Sequence, residues 1–253
     1  MRFELIIEIE PSRNPAKVAE RARRILELPC AAKAAVPDAP LGAPKALGLA
    51  IASYLEKLGL PSIAHVRLRD MNKLLFEQLV WSTLYLGVRR LLFLRGDPPR
   101  VGVDVDEVDS VTAAKYVKSK EKLRYLQVGL YMSLRHPPHK VLERARSAQA
   151  DFYVLNHFDP HSPQHREILA ELKNMGARIY AYLILAPSNN LEEMRKMLGG
   201  YQAVRSLENL GEHLDLFRRA NLDGVVLSAP GYLHILIDTL NKICGDEEEL
   251  ARR

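Results

Sequence analysis

Short apolar runs alternate with longer amphipathic stretches along the whole chain, and this alternation limits what it can fold into. Runs at 3–9, 30–35, 62–66, 90–94, 124–130, 151–155, 178–185 and 223–227 read as β-strands. Stretches at 15–28, 45–58, 72–86, 106–122, 138–148, 163–175, 190–198, 207–220 and 232–244 carry helical periodicity. Gly59, Gly87 and Gly176 stop three of these helices, and prolines open others. Strands that alternate with helices pair in parallel through helical crossovers. Eight such units in 253 residues favour a closed (β/α)8 TIM barrel over an open doubly wound sheet. No break in composition marks a second domain. The reading is one barrel over 1–245, followed by a charged, solvated tail over 246–253 that opens Asp246-Glu247-Glu248-Glu249.

Composition narrows the function classes. Hydrophobic residues make up 47% and charged residues 26%, the profile of a globular chain. The net charge of +5 is mild and no long basic block appears, which suits an anionic small molecule and does not indicate nucleic acid. No apolar run approaches the ~18 residues of a membrane span, and the first residues lack the apolar core of a signal peptide. These features predict a cytoplasmic protein with no membrane partner. Two cysteines, Cys30 and Cys244, are too few for a disulfide scaffold or a four-thiolate metal site. They read as small buried hydrophobes in a reducing compartment.

In a barrel of this kind, chemistry sits at the C-terminal ends of the strands. The polar residues there include Glu8 and Glu10, His65, Arg67, Arg69 and Asp70, and Arg95, Gly96 and Asp97. Tyr131, Arg135 and His136 follow strand five, Asn156, His157 and Asp159 strand six, Ser188 and Asn189 strand seven, and Ser228 strand eight. Side chains alternate along a strand, so Glu4, Ile6, Glu8 and Glu10 share one face. A buried Glu8 needs a partner or a task. It is a solvated strand end, or Arg67 or Arg95 neutralises it, or it is a general acid with a raised pKa.

Arg95-Gly96-Asp97-Pro98-Pro99 is the most specific stretch. The glycine permits a sharp turn and close approach to a ligand, and the prolines stiffen the loop. Arg95 offers a planar fork for phosphate, and Asp97 is held at the rim. Together with His65, Arg69-Asp70-Met71-Asn72 and Glu8-Ile9-Glu10-Pro11-Ser12-Arg13, it resembles the methylenetetrahydrofolate reductase family. The resemblance covers about 1–160 in detail and implies a flavin-dependent (β/α)8 oxidoreductase. There NAD(P)H reduces FAD, and the flavin reduces 5,10-methylenetetrahydrofolate to 5-methyltetrahydrofolate. By the same match, Glu8 is the acid that protonates the leaving nitrogen as the imidazolidine ring opens. Asp97 tunes the flavin and holds the pterin. His65, Arg95, Gly96, Asp97, Tyr131, His136 and Arg144 bind FAD, while Glu8, Asp97 and Asn156 bind the carrier. A homo-oligomer is implied, and a partner electron-transfer protein is an alternative source of electrons.

Three positions depart from the family pattern: Ala145 stands where it has a lysine, Pro138 near an aspartate, and Asn156 in place of a glutamine. They leave open another reduced pterin as carrier, or a flavin-free relative. Two further readings stand beside the reductase: a pterin-binding barrel subunit without reductase activity of its own, and a metal-dependent hydrolase using His157, Asp159, His161 and His65. Pro160 and Pro163 interrupt the histidine spacing, which favours a polar loop capping helix six over a metal site.

Overall fold

Eight parallel strands close on themselves, with helices packed around the outside. The structure, a computed structural model, describes residues 3–30, 32–199 and 203–252, with 246–252 as backbone alone. The barrel strands are β1 (Glu4–Glu8), β2 (Ala32–Val36), β3 (Ser62–Arg67), β4 (Arg90–Leu94), β5 (Gln127–Ser133), β6 (Phe152–Asn156), β7 (Arg178–Ala186) and β9 (Gly224–Ser228). They pair in chain order from β1 to β7, and β9 closes the ring between β7 and β1. A short additional strand, β8 (Val204–Ser206), pairs with the last three residues of β7. The chain is a (β/α)8 barrel, as its periodicity predicts.

The helices are α1 (Pro15–Leu26), α2 (Gly48–Lys57), α3 (Lys73–Leu86), α4 (Ser110–Ser119), α5 (Pro138–Ala148), α6 (Pro163–Asn174), α7 (Leu191–Met197), α8 (Leu210–Arg219) and α9 (Leu233–Arg252). Their ends follow local chemistry. The Asn72 side chain caps α3 by accepting from the Leu75 amide at 2.9 Å, and Gly87 ends that helix with φ of 71°. Asp109 caps α4, so this helix starts later than the sequence pattern suggests. Asp106 is thereby left with Asp104 in the loop after β4.

Outward-facing strand residues such as Ile7, Val66, Phe93 and Leu155 pack against the helices in the main core. Inward-facing residues form a second apolar layer inside the barrel: Ile6, Ala35, Ile63, Leu92, Val154 and Val226. Below it, at the N-terminal end of the strands, Glu4 accepts from Lys33, Arg178 and Tyr180 at 2.6, 2.6 and 2.8 Å. A polar cavity of about 180 Å³ lies at this lower mouth, lined by Arg90, Gln127 and the same cluster. Above the apolar layer lies a polar set that includes Glu8.

Four expectations need correction. Strand five begins three residues later than the pattern indicates, because 121–123 form a 3-10 turn and Gln127 pairs with Arg90. Tyr131 therefore belongs to the barrel wall rather than to the loop above it. The ninth strand, β8, lies between two stretches read only as helical. The backbone at 246–252 continues α9 rather than leaving it as a tail, in keeping with the helix-forming run Glu247-Glu248-Glu249-Leu250-Ala251-Arg252. Finally, Cys30 and Cys244 are joined in a disulfide with Cα atoms 5.6 Å apart, so the sequence argument for a reducing compartment loses its premise.

That bond joins the connection after α1 to the last helix, across a sequence separation of 214. Cross-linking so long a loop restricts the unfolded chain, by about 5 kcal/mol on the chain-entropy account. Reduction, or the Cys30→Ser/Cys244→Ser pair, is expected to lower the denaturant midpoint without changing the native circular dichroism. An unchanged midpoint would show that the cross-link adds no stability.

Candidate active site

The C-terminal mouth of the barrel is built from the last inward-facing residue of several strands. Glu8 ends β1 and is 8% exposed. Ser228 at the end of β9 donates to Glu8 Oε1 at 2.6 Å, and the Tyr182 hydroxyl on β7 donates to Glu8 Oε2 at 3.0 Å. Neither Arg67 nor Arg95 forms an ion pair with it among the described residues. Burial raises the Glu8 pKa to about 7, against the opposing pull of the two hydroxyl donors. Tyr131 stacks edge-on against Tyr182 with ring centroids 5.5 Å apart. Burial pushes both phenols well above their usual range, so they are neutral donors.

His65 and Arg67 project from β3 on the same inward face. His65 is buried, its Nε2 has no hydrogen-bond partner among the described residues, and burial lowers its pKa to about 4. Arg67 is only 2% exposed. Its Nε and Nη2 donate to Asp70, and its Nη1 has no partner among the described residues. Asn156 is buried at the end of β6, where its Oδ1 accepts from the His157 amide at 2.9 Å.

The loops above are fastened to one another. Asp97 accepts from the Leu41 amide at 2.9 Å, which ties the loop after β4 to the loop after β2. Gly42, at φ of +68°, lies so close that a Cβ there would sit 1.9 Å from the Pro98 carbonyl oxygen. The Arg100 amide donates to the Gly42 carbonyl at 2.9 Å. Asp97 is thus a rigid part of the rim, and its charge acts on both Arg67 and Tyr131.

Glu8, His65, Tyr131 and Asn156, all predicted from the sequence, face one interior, with Gly96 and Asp97 on the rim above. The others lie elsewhere. His136 is exposed in the turn after β5. Arg144 is half-buried between helices and donates to Ser110 Oγ at the start of α4. Arg95 is paired with Asp104, at 2.9 Å, and with Asp106. Tyr182 escaped the sequence reading because it sits inside an apolar strand. Its spacing of two from Tyr180, on the face that holds the interior, is the signal that locates it.

Ser162 caps α6 by accepting from the His165 amide, and His165 Nδ1 accepts from the Asp159 amide at 3.0 Å. The histidine-rich loop is thus engaged in capping its own helix. Among the described residues, no group of three or more His, Cys, Asp or Glu side chains is placed to hold a metal ion.

No family model matches the chain, and no curated protein matches it. Solved structures do. Tryptophan synthase from M. tuberculosis, in its open form with BRD0059 bound, superposes with a TM-score of 0.55 at 14% identity, covering 96% of this chain and 90% of that one. Its ligand-free TrpA-G66V mutant gives 0.55 at 15% identity, covering 96% and 91%. A structure of the tryptophan synthase α2β2 complex from Pyrococcus furiosus gives 0.59 at 10% identity, covering 99% and 98%. At these identities the likeness establishes the fold alone. Among the described residues, no helix is long and apolar enough to cross a membrane.

The family resemblance puts the flavin phosphates at Arg144, which is half-buried and donates to Ser110 Oγ, and Arg95, which it also sets against FAD, is already paired with Asp104 and Asp106. Around β3 and β4, the guanidiniums of Arg67, Arg69 and Arg95 meet the carboxylates of Asp70, Asp97, Asp104 and Asp106. Arg67, Arg69 and Arg95 are thus each already met by a carboxylate. The open side of Gly96 is also covered, since a Cβ there would lie 2.9 Å from Arg67 Cγ and 3.0 Å from its Nη1.

The buried Glu8 makes stability depend on pH. Its folded-state pKa of about 7 lies above the model-peptide value of 4.5, so the unfolded chain releases this proton first. The contribution is intact below pH 4.5 and is lost as pH rises through 7. Glu8→Gln is therefore expected to become progressively more stable than the parent between pH 4.5 and 8, by up to roughly 3 kcal/mol. Urea midpoints across that range measure it; a constant difference would mean that Glu8 titrates normally.

Proposed function

We propose that this barrel is an enzyme that reduces a one-carbon unit carried on a reduced pterin, with 5,10-methylenetetrahydrofolate as the leading substrate and Glu8 as the proton donor. The observation that carries this reading is a buried carboxyl at the C-terminal mouth of a barrel, hydrogen-bonded by the neutral hydroxyls of Ser228 and Tyr182, a setting that raises its pKa. The resemblance around Glu8, His65, Arg95-Gly96-Asp97 and Pro98-Pro99 supplies the substrate class.

The chain's own groups account for the proton. Glu8 delivers it to the leaving nitrogen as the carrier's C–N bond opens, leaving a carboxylate. Tyr182 and Ser228 donate to that carboxylate and offset part of its burial cost. Asp97, fixed by the Leu41 amide, holds a negative charge at the rim that suits a cationic intermediate of the carrier. Asn156 and Tyr131 border the same interior. NAD(P)H supplies the hydride when bound. Because Arg95 is already paired with Asp104 and Asp106, no step is routed through flavin. The same pairing favours one second reading, a carrier-binding subunit whose electrons come from a partner protein.

The freshly purified protein is expected to be colourless and to take up no added FAD; a flavin spectrum would overturn the flavin-free account. With NADH or NADPH as donor, Glu8→Gln is expected to lower carrier reduction by roughly 10²–10⁴-fold, the range for losing a general acid, while carrier binding persists. In the parent, kcat/KM should fall as pH rises through about 7. Reduction that survives in Glu8→Gln would remove Glu8 from the chemistry. Carrier binding without reduction by either nicotinamide would select the subunit reading.

A further inference from the structure

The charge on the rim is divided. On the β3–β4 side, Arg67, Arg69 and Arg95 each have a carboxylate partner. On the β1–β2 side, a cleft of about 460 Å³ is lined by Arg13, Lys17, Arg21 and Lys45, with Glu10 as its one acid. Four cations face one carboxylate, and none of the four forms an ion pair among the described residues.

The cleft is also ordered. Arg21 donates to the Glu10 carbonyl at 3.1 Å, and Arg13 to the Pro44 carbonyl at 3.4 Å. These bonds leave both guanidinium charges uncompensated. Ser12 accepts from the Asn14 amide at 3.1 Å, which fixes the turn into α1. Lys45 precedes α2, so its position is set by the loop rather than by a helix. Lys17 lies in the first turn of α1, which has no acidic residue there. A cation at a helix N-terminus opposes the helix dipole, so an anion seated in the cleft would relieve two unfavourable interactions together.

We propose that this cleft holds an anionic arm, a short chain of carboxylates or phosphates, on the molecule whose reacting end lies at Glu8. The link to Glu8 rests on the function proposed above, while the preference for anions follows from the cleft's own charges. Glu10 stands two residues beyond Glu8 along the rising strand, so the cleft begins about 7 Å above the carboxyl-bearing residue. The arm therefore extends from the reacting group toward α1 and not toward Arg95, whose charge is already matched by Asp104 and Asp106.

Isothermal titration of the full chain with two probes tests this: inorganic tripolyphosphate and a γ-linked triglutamate peptide. At least one is expected to bind at low ionic strength, and which of them does identifies the arm. Lys17→Glu/Lys45→Glu should weaken that binding by about tenfold or more. The milder Lys17→Gln/Lys45→Gln should give a smaller loss in the same direction. Reversing Lys122 and Lys140, exposed and outside the cleft, should leave it unchanged. Failure of both probes to bind would overturn the proposal. So would equal binding by the cleft variant, or an equal loss on reversing Lys122 and Lys140. Neither probe carries a reacting group, so Glu8→Gln should bind them as the parent does. A positive result stands even if no carrier reduction is found, and a negative one leaves the role of Glu8 to its own test.

Discussion

Closing eight strands into a ring forces every second side chain into one narrow interior, and a single carboxyl at Glu8 must share that space. β9 brings Ser228 beside it, and β7 brings Tyr182. Both donate to the carboxyl, yet burial prevails and the proton is retained up to about pH 7. The apolar layer of Ile6, Ala35, Leu92 and Val226 beneath it separates this group from the Glu4 cluster at the lower mouth. Two glutamates on the same face of one strand thus have opposite fates. Lys33, Tyr180 and Arg178 draw the Glu4 pKa down, whereas Glu8 has no cationic donor and burial, with the nearby Glu10 charge, pushes it up.

The loops extend this division to the rim. Asp97 and Gly42 join the β2 and β4 loops into one rigid wall. On that wall Arg67, Arg69 and Arg95 are paired with aspartates, and a cluster of cations without ion pairs lies across the mouth near α1. A proton donor at the centre, a neutralised wall on one side and a basic cleft on the other define a mouth with a direction. A substrate that carries both a reacting C–N bond and an anionic arm would enter it in one orientation.

Much of this was legible in the sequence. The order of strands and helices follows from hydrophobic period. Glu8 follows from its place at the end of an alternating first strand. Asp97 follows from the rigid loop after a buried fourth strand. What the sequence hid involves pairings between distant segments. Nothing local in Cys30 and Cys244 announces their bond. Arg95 reads as a free phosphate donor until Asp104 and Asp106, the second of which the pattern assigns to the edge of a helix, fold back onto it. The basic cleft draws on the β1 loop, α1 and the segment before α2, so no window of sequence contains it. Three-residue β8 is shorter than any periodicity can register.

The account stands on the protonation state of one side chain. Difference infrared spectroscopy, comparing the parent with Glu8→Gln across a pH titration, observes the protonated carboxyl stretch of Glu8 directly. The prediction is a band absent from the variant that disappears with a midpoint near pH 7. A midpoint near the ordinary glutamate value of 4.5 would contradict it and remove the proton donor on which the proposed chemistry depends.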